Sequence, residues 1–271
     1  MTETLKLGFS PCPNDTFMFH DLVHDLVQVE GVTFDYELHD IEVLNRRSQE
    51  DPPPFDITKL SIPAFARSKH HYTLLSAGAA LGRGCGPLVV RAASRENLTS
   101  LADLSGARVA IPGQFTTAFM LFQMFGPPDI QVVEMRFDEV MPAVEKGTVE
   151  AGLIIHESRF TYQDHGLVQI ADVGQLWESQ TELPLPLGVI AARTSLGETR
   201  IKQISAALRQ SIQNAFDDPT RSATWVAEHA QEMDSSVCKQ HIDLYVNEFS
   251  LELGDQGESS IHQALAILGK A

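Results

Sequence analysis

The run Ala151-Gly152-Leu153-Ile154-Ile155 constrains the fold more than any other stretch of the chain. It is far short of the roughly 20 apolar residues a membrane-spanning helix needs. It also lacks the in-out alternation of a half-exposed strand. Such a run suits a strand covered on both faces, as in parallel sheets flanked by helices. Arg108-Val109-Ala110-Ile111 reads the same way and is ended by Pro112 and Gly113. Strand-like and helix-like patterns alternate around these two, which predicts an α/β fold.

Leu5–Phe9 reads as a strand that runs into Ser10-Pro11-Cys12-Pro13-Asn14-Asp15. The two prolines there are incompatible with a helix interior, so a helix from Thr16 to Val27, capped by Asn14 or Asp15, is expected. Gly31–Leu38 alternates like a strand, and Glu42–Gln49 is expected to be helical. After the proline-rich break Asp51–Pro54, Phe55–Leu60 reads as a strand and Ile62–Ser68 as a short helix. Leu98–Leu104 resembles a small helix, Thr116 or Thr117 opens another, and Asp138–Lys146 a third that stops at Gly147. Ile201, Ile204, Leu208, Ile212, Ala215 and Phe216 mark one face of a long helix. Three more helices are expected over 219–231, 235–247 and 259–268. Extended segments near Pro87–Ala92 and Pro184–Ala192 bracket the middle of the chain. That layout predicts residues 91–188 as a smaller α/β domain inserted into a larger discontinuous one, residues 1–90 plus 189–271. Two chain crossings then make a hinge, with a ligand cleft between the domains.

With 20 Lys and Arg against 36 Asp and Glu, the formal net charge is −16. Such a surface repels nucleic acid and anionic lipid, so neither is expected as a partner. If the ligand is an anion, a local positive source must override that field. The opening MTETLKLGFS has no basic stretch followed by an apolar one, so no export leader is read there and a cytoplasmic location is expected. Cys12, Cys85 and Cys238 form no CxxC pair, which argues against a zinc knuckle or redox pair; all three are expected as reduced thiols. His20 and His24 have metal-compatible helical spacing but no third ligand nearby, so no metal is expected. No GxSxG, GxGxxG or GxxxxGK[ST] occurs. Leu81-Gly82-Arg83-Gly84-Cys85-Gly86 reads as a flexible approach to the first crossing.

The candidate chemistry gathers at strand ends, where open α/β sheets place their ligands. His156 follows an apolar strand directly and can accept a proton near neutrality, or it can be a histidine bonded to a neighbouring carbonyl. In Glu157-Ser158-Arg159, the arginine reads either as a bidentate partner for a substrate carboxylate or as half of a structural salt bridge. Thr116 and Thr117 open a helix directly behind a buried strand. Their hydroxyls and the helix N-terminus make an anion site, or an ordinary cap. Lys59, Leu60 and Ser61 end another strand, from which Lys59 or Ser61 can reach the cleft. Asn14, in the first strand-to-helix loop, reads as a ligand donor or a cap. His229, His241 and His262 read as structural.

These residues resemble a known family. Leu7–Phe17, Thr58–Ser61, Leu81–Gly84, Gly86–Val90, Ala151–Tyr162, Leu183–Gly188 and Tyr245–Asn247 are similar to the 1,4-dihydroxy-6-naphthoate synthases. The resemblance implies menaquinone biosynthesis by the futalosine route. It implies conversion of cyclic dehypoxanthinyl futalosine, a small anionic aromatic substrate, to 1,4-dihydroxy-6-naphthoate with release of dihydroxyacetone and without metal or organic cofactor. It implies the type II periplasmic-binding-protein fold, His156 as the base, and substrate contacts from Lys59-Leu60-Ser61 and Thr116-Thr117. Gln114-Phe115 departs from the family pattern. The competing readings are a solute-binding component of a transporter and a chorismate dehydratase of the same pathway.

Overall fold

The computed structural model describes residues 2–231 and 234–269. The chain divides into two α/β units, Met1–Gly82 with Pro186–Ala271, and Arg83–Leu185. The inserted unit thus begins earlier than the expected residue 91. The reason is Leu88–Ala92, a strand hydrogen-bonded on both sides within the second unit.

In chain order the first unit holds β1 (Glu3–Phe9), α1 (Pro13–Val23), β2 (Val32–Leu38), α2 (Ile41–Arg47), β3 (Ile57–Ser61), α3 (Ile62–Ser68), β4 (Tyr72–Leu74) and β5 (Ala80–Gly82). The second holds β6 (Leu88–Ala92), β7 (Arg108–Ile111), α4 (Thr117–Phe125), β8 (Gln131–Glu134), α5 (Phe137–Glu145), β9 (Ala151–Ile154), α6 (Ser158–Thr161), β10 (Leu167–Asp172) and α7 (Val173–Thr181). The chain returns to the first unit through β11 (Leu185–Arg193), followed by α8 (Glu198–Asp217), α9 (Ala223–His229), α10 (Ser235–Tyr245), α11 (Glu248–Leu251) and α12 (Gly254–Leu268).

The first sheet has the order β2-β1-β3-β11-β4, with β5 also on β11. β1 runs parallel to β2 and β3, and β11 runs antiparallel to β3. Its core joins Leu5, Leu7 and Phe9 to Phe17, Met18, Phe19 and Leu22 of α1 and to Ile204, Leu208 and Ile212 of α8. The second sheet has the order β10-β6-β9-β7-β8, with β9 parallel to β7. Its core gathers Leu88, Val90 and Ala110 with Val140, Met141 and Val144 of α5. A Cβ on Gly152 would stand 2.6 Å from Val140 Cγ1 and 2.8 Å from Val144 Cγ2. The glycine inside the central strand is therefore what lets α5 lie close on the sheet.

Two local expectations are corrected. Helix α1 starts at Pro13, with Cys12 as N-cap, and ends at Val23. Proline is tolerated in the first helical turn because its missing N–H has no intrahelical acceptor there. The expected helix over 98–104 is a single 3₁₀ turn, Leu101–Leu104.

Asp21 ties α1 to the C-terminal helices, accepting from Asn214 Nδ2 at 2.8 Å and from Arg221 at 2.9 Å. Burial pushes its carboxyl up. Hydrogen bonds from Asn214, His20 and Arg221 outweigh that and hold it below its ordinary value. A depressed folded-state value stabilises the fold above the unfolded-state pKa, and that stability is lost as pH falls through the folded value. Asp21→Asn is therefore expected to lower the urea midpoint at pH 7. Its difference from the parent should narrow as pH drops below about 4; a difference that stays constant with pH would contradict this.

Candidate active site

In the second unit the two parallel strands β7 and β9 lie side by side, with Val109 opposite Ala151 and Ala110 opposite Gly152. Their carboxyl ends carry the loops that hold Thr116, Thr117 and His156. Thr116 caps α4: its Oγ1 accepts from Phe119 N at 3.2 Å and donates to Gly113 O at 2.8 Å. Thr117 is the first helical residue, and both threonines are buried. The helix opens where the sequence predicts, and its positive end meets the carboxyl edge of the sheet.

His156 stands two residues beyond β9 with φ = 56°. That is the left-handed region, uncommon for a residue with a Cβ. Its ring meets Phe137, the first residue of α5, edge-on with centroids 4.9 Å apart. The kink turns the chain directly from the strand into α6, with Arg159 N donating to His156 O at 3.3 Å. Backbone strain of this kind concentrates at functional sites.

Arg159 forms a salt bridge, one of the two readings its sequence position allows. One terminal nitrogen donates to Gly86 O, and the other donates to Asp172 Oδ2 at 2.8 Å. Asp172 also caps α7, its Oδ1 accepting from Gly174 N and Gln175 N at 2.9 and 3.0 Å. Expected either at the substrate or in a salt bridge, Arg159 thus joins α6, α7 and the segment before β6. Glu157 beside it is buried, and Arg159 takes Asp172 as its carboxylate partner. The glycine-rich segment is corrected too. Gly84 N donates to Glu178 at 2.7 Å and Arg83 to Glu182 O at 2.9 Å, so α7 holds the approach that was expected to be flexible. Cys85, buried within it, has its thiol pushed up to about 12, chiefly by burial. It is a packing residue with very little thiolate near neutrality.

In the first unit Lys59, Leu60 and Ser61 end β3, all buried. Strand alternation puts Lys59 and Ser61 on one face and Leu60 on the other. Ser61 N donates to Asn45 Oδ1 at 2.9 Å, and its Oγ accepts from Asn45 Nδ2 at 3.1 Å. The ammonium of Lys59 donates to Asp15 Oδ1. Gly188, opposite Ser61 on β11, leaves room for the lysine stem: a Cβ there would lie 3.5 Å from Lys59 Cε and 3.2 Å from Leu60 O. Asn14, expected as a ligand donor or a cap, does not cap α1, whose N-cap is Cys12. Its Nδ2 donates to Asp15 and its Oδ1 faces His241. The structure thus brings Asn14 and Lys59 together through Asp15, a residue read from sequence only as a cap. It brings His156, Thr116 and Thr117 to one edge of the other sheet. Asn45, Asp172 and His241 complete these arrangements, and none carries a local sequence motif.

His20 Nδ1 meets Asp21, and His24 Nδ1 meets His20 O at the end of α1. Among the described residues no helix is long and apolar enough to cross a membrane.

Solved structures give the fold. A Candida albicans protein described as having the generic periplasmic binding protein fold superposes with a TM-score of 0.73 at 14% identity, over 99% of this chain and 91% of its own. An alkanesulfonate-binding protein from Xanthomonas axonopodis gives 0.68 at 15% identity, over 90% and 85%. A structural-genomics protein from Archaeoglobus fulgidus gives 0.89 at 32% identity, over 98% and 97%. The fold is therefore periplasmic-binding-protein-like. The family model for menaquinone biosynthesis matches residues 5–270. A 1,4-dihydroxy-6-naphthoate synthase of Thermus thermophilus is 46% identical over 97% of this chain and 93% of its own. The synthase of the same name from Streptomyces coelicolor is 44% identical over 97% and 92%. A match of this length and identity leaves one assignment: the chain belongs to the menaquinone biosynthesis family, alongside the 1,4-dihydroxy-6-naphthoate synthases.

Proposed function

We propose that the chain is a carbon–carbon lyase acting in the cytoplasm, converting cyclic dehypoxanthinyl futalosine to 1,4-dihydroxy-6-naphthoate and dihydroxyacetone with His156 as the base. The observation that carries this reading is the 46% identity to a named synthase over 97% of the chain. The position of His156 at the carboxyl end of β9, held in a left-handed conformation, supports its role. Loss of a proton and cleavage of a carbon–carbon bond, driven by formation of an aromatic ring, asks for one positioned base. It also asks for positive potential against the substrate anion on a chain of net charge −16. Lys59 and Ser61 in the first unit, and Thr116 and Thr117 in the second, are each read as contacts to that anion. The N-terminus of α4 stabilises developing negative charge.

Turnover of cyclic dehypoxanthinyl futalosine by the purified protein, with both products identified by mass, tests the reading. Dehydration of chorismate instead would make the chain a dehydratase. Tight binding of a nutrient anion with no turnover of either compound would make it a solute-binding protein.

The two threonines separate by experiment. Thr117→Val removes a hydroxyl from the proposed anion site and is expected to raise KM roughly tenfold, the loss of one hydrogen bond to a charged group. Thr116→Val removes the cap on Phe119 N and is expected to cost about 1 kcal/mol of stability. Steady-state kinetics and thermal melting of both variants check this. An unchanged KM for Thr117→Val removes that hydroxyl from the site.

A further inference from the structure

A chain of buried polar groups runs from α10 to the end of β3. His241 Nε2 meets Asn14 Oδ1 at 2.9 Å, and Asn14 Nδ2 donates to Asp15 Oδ1 at 2.9 Å. Lys59 donates to the same oxygen. Asp15 Oδ2 accepts from Ser10 N at 3.1 Å and from Ser10 Oγ at 2.6 Å. His241, Asn14, Asp15, Ser10 and Lys59 are all 5% exposed or less, so water does not substitute for a missing partner.

The donor and acceptor roles along this chain are determined by its two ends. Asp15 beside a lysine is an acceptor, so Asn14 must turn its amide nitrogen toward Asp15 and its carbonyl toward His241. His241 must then carry a proton on Nε2. Asp15 accepts from Lys59 and so fixes one of its three N–H groups, which leaves the other two with a defined direction. Without His241, Asn14 has no buried donor to hold its amide, and the aim of Asp15 is no longer set.

We propose that His241 is a positioning residue for the reaction, acting through Asn14 and Asp15 to aim the ammonium of Lys59 at the substrate anion. This rests on the reading above that Lys59 touches substrate. Lys59 on this view anchors the anion equally in ground and transition states, so its misplacement acts on KM and leaves kcat nearly unchanged.

His241→Phe tests this. Phenylalanine keeps a ring against Tyr245, whose centroid is 4.6 Å from that of His241, and removes the donor. KM is expected to rise about tenfold, with kcat within about threefold of the parent. His241→Gln, whose amide can donate to Asn14, is expected to restore KM to within about threefold. Lys59→Gln, which keeps a donor to Asp15 and removes the ammonium, is expected to raise KM by itself and to make His241→Phe silent in the double variant. If Lys59→Gln raises KM but His241→Phe does not, or if the two effects simply add, the positioning role is overturned and the substrate reading of Lys59 stands. If Lys59→Gln leaves KM unchanged, both fall. The ring tautomer in the parent protein, read by long-range ¹H–¹⁵N NMR, carries the test even if His241→Phe fails to fold. A proton on Nε2 is expected, and a proton on Nδ1 alone overturns the proposal.

Discussion

His156→Asn is expected to lower kcat by roughly 10²–10⁴-fold, the usual contribution of one positioned general base, while leaving the fold intact. That range corresponds to about 2.7–5.5 kcal/mol of transition-state stabilisation. Asparagine is the informative replacement because of the backbone. At φ = 56° a residue with a Cβ pays a conformational cost, and asparagine visits this region more readily than alanine does. His156→Ala therefore mixes two effects, lost chemistry and a strained turn, whereas His156→Asn isolates the first. The asparagine amide also keeps a polar group beside Phe137 but does not accept a proton near neutrality. Single-turnover kinetics together with a melting curve separate the outcomes. A variant with the parent's rate takes His156 out of the mechanism. A variant that melts much lower as well as turning over slowly would mean that His156 holds the turn between β9 and α6.

What could be read from sequence follows how local each determinant is. The apolar run of β9, the buried strand of β7 with Pro112 and Gly113 behind it, and the threonine cap of α4 are set by neighbours within a few residues, and all three form as the patterns predict. No sequence pattern predicts β8 or β10. They are the two edges of the second sheet, and residues such as Gln131, Glu134, Val168 and Gln169 are exposed, so neither shows a continuous apolar run. The prolines before α1 read as helix breakers, yet the second of them occupies the first helical position, where proline is tolerated. In the candidate site, His156 and the threonines were visible as types at strand ends. The left-handed turn at His156 had no marker, since that conformation most often announces itself by glycine. The partners of Lys59 and Arg159 were hidden for a different reason. Asp15 lies 44 residues from Lys59, and Gly86 lies 73 residues from Arg159. Only the folded chain brings such pairs together.

The largest stability effect is expected at Gly86, far in sequence from every residue given a chemical role. A Cβ built there would lie 2.7 Å from Gly174 N and closer still to Gly174 Cα. Both are backbone atoms in the first turn of α7, which cannot rotate away as a side-chain tip can. The same place is held by several bonds: Arg159 to Gly86 O, Arg159 to Asp172, Asp172 to the first N–H groups of α7, and Val173 N to Pro87 O at 3.1 Å. Relief of the clash must displace α7 from β6 and disturb that set together. Overpacking against side chains costs about 1–3 kcal/mol, and against backbone the upper end is expected. At roughly 2–4 °C per kcal/mol for a chain of this size, Gly86→Ala should lower Tm by about 6–12 °C. Gly84→Ala, two residues away, is the control. Gly84 has φ = 65° with nothing within 4 Å of a built Cβ, so alanine there costs only the left-handed backbone, about 1 kcal/mol. Equal melting of the two variants would show that the contact between Gly86 and Gly174 is not close enough to matter. A drop several times larger for Gly86→Ala than for Gly84→Ala would show that the close approach of Gly86 to Gly174, rather than loop flexibility, is what this glycine supplies.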